Sequence, residues 1–399
     1  MALEVSVVTV KHKPRLRKTM FKNYFSGWQY LVVLLYPPLV FTYKIPDSLR
    51  IALFVFLTTF LFAKIKKLQP RQIVNFFILA LLVCVQLSLS DQMSDKDMRN
   101  AGSLFLTLSF AVSLNCAANN KKIANDLLTF YINLFSLIPI LILLAYAFLF
   151  AFGELNLFNL KIGAEGAVAF RYTPFGILFE KTVIYRSVGF FHEPQLLAFF
   201  FAANMFMPLI NSDKNNKIFP ILNFIGGILT FSFLFFITVL FVYLLKLLLT
   251  KKISNIGIAI VLVIAIIFAI VELRVFDMSS LSERVERAAI YFYLYPSLST
   301  IQVWLGTGFN VDTGYDFAIN SGPLSLLYTV GVVGLLSIVI LMWTLTYKNY
   351  YLFIVCFMAF LSFEPFYYPL FWLAITAYSV ASRRNLPSSP IKICNPPVN

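Results

Sequence analysis

The chain is constrained most by its long apolar runs, at 127–152, 253–271 and 323–345, which contain no charged residue. A helix needs roughly 20 apolar residues to cross the hydrocarbon of a bilayer, and each of these runs supplies about that many. Inside lipid every backbone N–H and C=O must be satisfied by the protein itself, so only helices and closed barrels can cross. A barrel strand alternates with a period of two. These runs do not alternate, and the chain is predicted to be helical. Composition agrees, with 60% apolar and 13% charged residues, where a soluble domain carries about a quarter charged. A soluble globular domain, a disordered tail and a disulfide scaffold are excluded together.

The net charge is +14, and its distribution gives it a meaning. Lys11, Lys13, Arg15, Arg17, Lys18 and Lys22 precede the first apolar run, and small basic clusters recur at Lys64–Arg71, Lys121–Lys122, Lys251–Lys252 and Arg383–Arg384. Cytoplasmic loops collect Lys and Arg in this way, so the basicity reads as membrane topology and no nucleic-acid partner is expected. The first apolar stretch lacks a small-residue cleavage site and is expected to be a retained span. Cys84, Cys116 and Cys356 lie in apolar runs and Cys394 in the tail, so no disulfide is expected. With only His12 and His192 in the chain, no metal site is expected either.

With the N-terminus inside, spans are predicted near 25–43, 49–63, 72–90, 101–118, 127–152 and 195–211. The run 218–249 is long for one span and short for two. Splitting it at Thr230–Ser232 keeps Lys246, Lys251 and Lys252 on the inner side, so two short spans are predicted. Further spans follow near 253–271, 322–345, 350–362 and 366–381. The expected architecture is a single all-α polytopic domain over 1–399, with about twelve transmembrane helices and both ends cytoplasmic. Two larger outer loops cover 153–194 and 272–321, and 383–399 forms an inner tail. Of 32 Lys and Arg, 21 then fall inside and 11 outside, the asymmetry that orients membrane proteins.

The outer loops hold the residues able to do chemistry. The first ends in Arg186-Ser-Val-Gly189-Phe-Phe-His192-Glu193-Pro194. Pro194 suits the first turn of a helix, which puts Glu193 at a helix N-terminus, where the dipole favours a carboxylate. Glu193 is therefore either a cap or a general base. The second loop carries Ser280-Leu-Ser-Glu283, a capping-box pattern, opening a helix expected to reach Leu294. Arg284, Arg287 and Tyr291 share one face of it. Two guanidiniums on one face suit a diphosphate. They equally suit a solvated helix with a Glu283–Arg287 pair contributing about 0.3–0.5 kcal/mol. Downstream, Gly306-Thr-Gly308 reads as a backbone nest for an anion or as a plain turn, and Gly331 and Gly334 read as close-packing positions.

As a set, Arg-x-x-Gly-x-x-x-Glu-Pro at 186–194, the Arg-bearing helix, Gly306-Thr-Gly308-Phe-Asn310, Asn320-Ser-Gly322-Pro-Leu324 and Gly331-Val-Val-Gly334 resemble the O-antigen polymerase and O-antigen ligase superfamily of bacterial envelope glycosyltransferases. The motifs cover about 180–340; span number and loop placement extend the resemblance to the whole chain. It implies a fold similar to the GT-C class and a site on the periplasmic face of the inner membrane. It also implies undecaprenyl-diphosphate-linked glycans as donor and acceptor, with no metal or cofactor. A chain-length regulator and a flippase are the implied protein partners, beside membrane lipid. Ligases of this superfamily carry a His before the Asn of the Asn-x-x-Leu-like stretch. Here Ile319 precedes Asn320, which favours a Wzy-type polymerase of O-antigen or capsule repeat units.

Such a reaction needs charge stabilisation for the leaving diphosphate and a base for the attacking hydroxyl. Arg186 and Arg284 are expected to supply the first, with Arg287 and Tyr291 beside them on the diphosphate. Glu193 is expected to be the base, with His192 as the second candidate. A glycan ligase and a lipid-linked oligosaccharide transporter are the competing functions. Transporters place ionisable residues inside their spans and often carry repeated halves, whereas here the charge is concentrated in two outer loops.

Overall fold

The computed structural model describes residues 47–65, 95–152, 169–181, 184–189, 194–206, 218–249, 279–308, 322–346, 350–362 and 368–385, with isolated residues at 73–75, 77–78, 81 and 366. The predicted spans at 25–43 and 253–271 lie outside the described residues.

Helices dominate. In chain order they are α1 (Asp47–Ala63), α2 (Asp95–Ala117), α3 (Lys121–Phe152), α4 (Pro194–Met205), α5 (Ile218–Leu229), α6 (Phe233–Leu249), α7 (Ser279–Leu294), α8 (Thr300–Leu305), α9 (Gly322–Thr346), α10 (Tyr350–Ser362) and α11 (Pro369–Asn385). Two of them, α3 and α9, are long and apolar enough to cross a membrane; the remaining apolar helices described are shorter. The helical body expected from hydropathy is present, and α10 has the expected limits.

One feature adds to that expectation. The segment read as the loop 153–194 contains three antiparallel strands, β1 (Ala169–Thr173), β2 (Gly176–Lys181) and β3 (Ile184–Gly189), in the order β1-β2-β3. Their composition explains them, because Phe170, Tyr172, Ile177, Phe179, Ile184 and Tyr185 are aromatic and β-branched residues that favour strands. Pro174-Phe175 makes the first turn. The Thr173 hydroxyl accepts the amides of Phe175 at 3.2 Å and Gly176 at 3.1 Å. The sheet sits against α3 and α4, with Phe175 edge-on to Phe148 at 6.2 Å.

The centre of the body is formed by α4 and α11. Every residue from Leu196 to Ala203 and from Leu370 to Ala381 is buried. A helix that is apolar all round has no solvent face and belongs in a core. Around these two run α2, α3, α5, α6, α9 and α10. Trp372 is fully buried, and its indole N–H donates to the Phe366 carbonyl at 2.9 Å.

The run 218–249 does break where expected. Helix α5 ends at Leu229 and α6 begins at Phe233. The Thr230 hydroxyl donates to the Gly227 carbonyl at 2.6 Å, and Phe231 takes a positive φ of 44°. Phe235 then lies against Gly227, and its ring sits 6.2 Å from that of Phe224. Eleven residues of continuous helix would separate Phe224 and Phe235 by about 16 Å along the axis, so the chain has turned back.

Candidate functional site

Arg186 stands in β3, paired across the ladder with Phe179 of β2. Its neighbour Ser187 is fully buried, and the Ser187 hydroxyl has no hydrogen-bond partner among the described residues. Helix α4 begins at Pro194, as its ring geometry led us to expect. His192 and Glu193 lie outside the described residues, between the end of β3 and that helix. The sheet is in contact with α3 and α4, so the described part of the first motif, in β3, rests against these two helices.

The second motif is held by a different helix. Arg284 and Arg287 lie within α7, which starts one residue before Ser280 and ends at Leu294, as expected. Ile290 and Tyr291 are buried against Leu294, Leu324, Leu327 and Tyr328, so α7 is seated on the first turns of α9. Burial first, and the neighbouring Tyr295 second, raise the Tyr291 phenol above its ordinary value of 10.0. Arg186 is thus carried by β3, and Arg284 and Arg287 by α7.

Between these elements the structure joins two glycine motifs that are 25 residues apart. Helix α9 is interrupted at Gly331, whose φ of 68° and ψ of −172° are not helical. Gly306, the C-cap of α8, has φ 87° and ψ 174°. Both fall in a region that only glycine populates readily. A Cβ on Gly331 would collide with the Gly306 nitrogen and the Trp304 carbonyl, and a Cβ on Gly306 with the Thr329 carbonyl. The Thr307 amide donates to the Tyr328 carbonyl at 2.8 Å and the Gly308 amide to the Thr329 carbonyl at 3.1 Å. The Gly306 amide donates to Gln302 at 2.7 Å. All three amides of the expected nest are therefore committed within the protein. This overturns its reading as an anion site: it is a clasp that satisfies the backbone beside a broken helix. Gly331 is a close-packing position, as expected, but against backbone of the second loop.

The clasp is steadied by α8 itself. Ser299 caps it, accepting the Gln302 amide at 3.3 Å while the Gln302 side chain accepts the Ser299 amide at 2.9 Å. The Ser-x-x-Gln spacing of this box was present in the sequence and not used.

A polar cluster inside the body also went unread. The hydroxyls of Tyr131 (α3) and Tyr378 (α11) are 2.8 Å apart, and Asn204 Oδ1 (α4) lies 2.9 Å from the first and 2.5 Å from the second. Asn204 Nδ2 donates to Asn223 Oδ1 of α5 at 2.6 Å. Asn223 Nδ2 in turn donates to the carbonyls of Phe135 at 3.2 Å and Phe219 at 2.8 Å. Two acceptors that can only be carbonyls fix the amide of Asn223, and that fixes Asn204, which must turn its oxygen to the tyrosines. Both tyrosine hydroxyls are placed to donate to Asn204 Oδ1, and Asn204 donates onward to Asn223, an arrangement in which each bond polarises the next. It ties α4 to α3, α5 and α11. The signal for it was an asparagine inside each of two apolar runs, a costly residue there unless it is paired.

Comparison with models of known protein families, with curated proteins and with solved structures found no match.

Proposed function

We propose that this chain is a multi-pass glycosyltransferase of the bacterial inner membrane that polymerises undecaprenyl-diphosphate-linked repeat units on the periplasmic face. The reading takes about twelve spans, both termini in the cytoplasm, a GT-C-like helical body and membership of the O-antigen polymerase and ligase superfamily. The observation that carries it is the seating of α7 on α9. The helix bearing Arg284 and Arg287 is fastened through Tyr291 to the first turns of α9, an apolar helix broken at Gly331. A lipid-linked diphosphate lies at such a boundary between apolar helix and polar loop, and guanidiniums bind it as a fork.

In this reaction the acceptor hydroxyl oxygen forms a bond to the anomeric carbon of the growing glycan, and the bond from that carbon to the diphosphate breaks. The hydroxyl proton passes to Glu193, or to His192 in its place. The charge that develops on the leaving diphosphate is met by Arg186, Arg284 and Arg287, with Tyr291 beside them. These arginines do the electrostatic work without a metal.

A lipid-linked oligosaccharide transporter is the second reading, because transporters build substrate sites from interrupted helices and α9 is interrupted. The clasp counts against it. The Tyr328 and Thr329 carbonyls beside the break accept from Thr307 and Gly308, so the chain's own backbone fills the place a substrate would take.

The test is to incubate purified protein with lipid-linked repeat units and look for a ladder of products. Glu193→Gln keeps a capping group and changes the dipole contribution by about 0.3–1 kcal/mol. It removes a base that is worth about 10²–10⁴-fold in rate. A ladder from the parent and only traces from Glu193→Gln is the expected result. A full ladder from Glu193→Gln with none from His192→Ala moves the base by one residue. No ladder from the parent overturns the polymerase reading.

A further inference from the structure

The end of α7 and all of α8 leave large side chains uncovered. Tyr293 is 71% exposed, Ile301 64% and Trp304 54%, and Phe292 and Tyr295 are exposed beside them. In a loop bathed in water this would be an apolar patch without a purpose. Its depth gives it one. The Trp304 carbonyl is against Gly331 of α9, and Trp343, exposed on the same helix, lies against Tyr350 at the α9–α10 end, their rings 5.5 Å apart and inclined at 56°. Aromatic pairs of this kind mark a membrane boundary. Gly331 stands twelve residues above Trp343, or about 18 Å along the helix. The hydrocarbon is about 30 Å thick. If Trp343 marks the inner boundary, the seat of α8 therefore lies well inside the outer leaflet, short of its surface.

We infer that the segment from Ile290 to Leu305 is a re-entrant wedge that dips into the outer leaflet and presents Phe292, Tyr293, Tyr295, Ile301 and Trp304 to bilayer lipid. The inference rests on α9 crossing the membrane. Irregular backbone is tolerated at that depth where protein satisfies it. The clasp does so for Gly306, Thr307 and Gly308. In the turn before α8 the Leu298 amide donates to Tyr295, the Ser299 amide to the Gln302 side chain and the Ser297 hydroxyl to Leu294. The composition selects lipid over a saccharide as the occupant. A face that stacks sugars sets free hydrogen-bonding side chains around its rings, whereas here Phe292 and Ile301 offer none and the hydroxyls of Ser297 and Ser299 are engaged by the Leu294 carbonyl and the Gln302 amide. Tyrosine and tryptophan with their rings in lipid and polar tips toward headgroups are the usual occupants of such a position.

The test uses the full chain reconstituted in vesicles, with tryptophan emission quenched by lipids brominated either just below the headgroup or near the chain end. One variant, Trp28→Phe with Trp343→Phe, reports Trp304; the other, Trp28→Phe with Trp304→Phe, reports Trp343. Buried Trp372 stays in both as a common background. Loss of Trp304 emission comparable to that of Trp343 is expected. Quenching of Trp343 with Trp304 unaffected overturns the wedge and leaves the crossing helix standing. Quenching of neither removes both. A Trp304 that ignores brominated lipid and shifts its emission with soluble oligosaccharide makes the face a sugar platform and also overturns the proposal.

Discussion

Thr307 holds the carbonyl of Tyr328 twice, through its amide at 2.8 Å and its hydroxyl at 2.9 Å. Tyr328 stands three residues before the interruption of α9 and also packs on Tyr291. Tyr328 therefore links the arginine-bearing helix, the clasp and the apolar helix α9, and holds together the described part of the second loop, 279–308.

The glycines of this unit are predicted to differ sharply in tolerance. Gly331→Ala and Gly306→Ala meet backbone atoms as well as an unfavourable dihedral region that by itself costs about 1–3 kcal/mol. Gly308→Ala, with φ 80° and nothing within 4 Å, meets the dihedral alone. Folded yield and melting temperature in detergent should fall most for Gly331→Ala and Gly306→Ala. Equal behaviour of all three would show that the clasp yields.

Asn204→Ala should be among the most damaging changes inside the body. It leaves two tyrosine hydroxyls and the Asn223 oxygen short of partners, at about 1–3 kcal/mol for each buried group left unsatisfied. Tyr131→Phe and Tyr378→Phe each remove one of the two hydroxyls on Asn204 Oδ1, and each should cost less than Asn204→Ala. A double-mutant cycle of Tyr378→Phe with Asn204→Ala should be non-additive, because the two share one network.

Gly102→Ala should stabilise the protein by about 0.5–1 kcal/mol, since alanine is the better residue within a helix. Gly102 lies in α2 and a Cβ there meets nothing within 4 Å. Gly227→Ala has the same chemistry and should have the opposite sign, because the fully buried Phe235 ring occupies the space. Thermal melts of the two variants side by side decide the matter.

The phenol of Tyr291 is raised by burial and by Tyr295. A folded value above the unfolded one means that the folded chain keeps this proton longer. The stabilisation is thus complete below the ordinary value of 10.0 and is lost as pH rises through the folded value. The seat of α7 on α9 should loosen on alkaline titration above about pH 10. Tyr291→Phe should remove that part of the alkaline sensitivity, read as the pH dependence of thermal unfolding.

Arg284→Ala or Arg186→Ala should abolish polymer while protein levels stay normal, and lysine should rescue only partly because it lacks the bidentate fork. Chelation with EDTA should leave the purified enzyme unaffected. A strict metal requirement, or full activity of both alanine variants, would sink the diphosphate role.

Local chemistry was enough for several elements. Apolar runs free of charge gave the helices; Pro194 marked the start of α4, and the threonine and serine at 230–232 marked the turn between α5 and α6. The helix 279–294 followed from its polar opening and from Pro296. Each is decided by residues within a few positions of one another, where propensity and hydropathy act. The three strands at 169–189 were also legible in principle, from aromatic and β-branched residues around Pro174-Phe175, but the polar surroundings were read as loop.

Other features were decided only by tertiary structure. Tyr131 and Tyr378 are 247 positions apart, and neither residue announces a partner, because a lone tyrosine in an apolar run fits a helix surface equally well. Gly306 and Gly331 read separately as a turn and as a packing position. Only the meeting of their backbones shows that the glycines serve close approach and that the amides between them are already spoken for. Hydropathy selects which segments leave water, and it is indifferent to which buried polar groups find each other. That choice depends on hydrogen-bond geometry across helices, which exists only once the chain is folded.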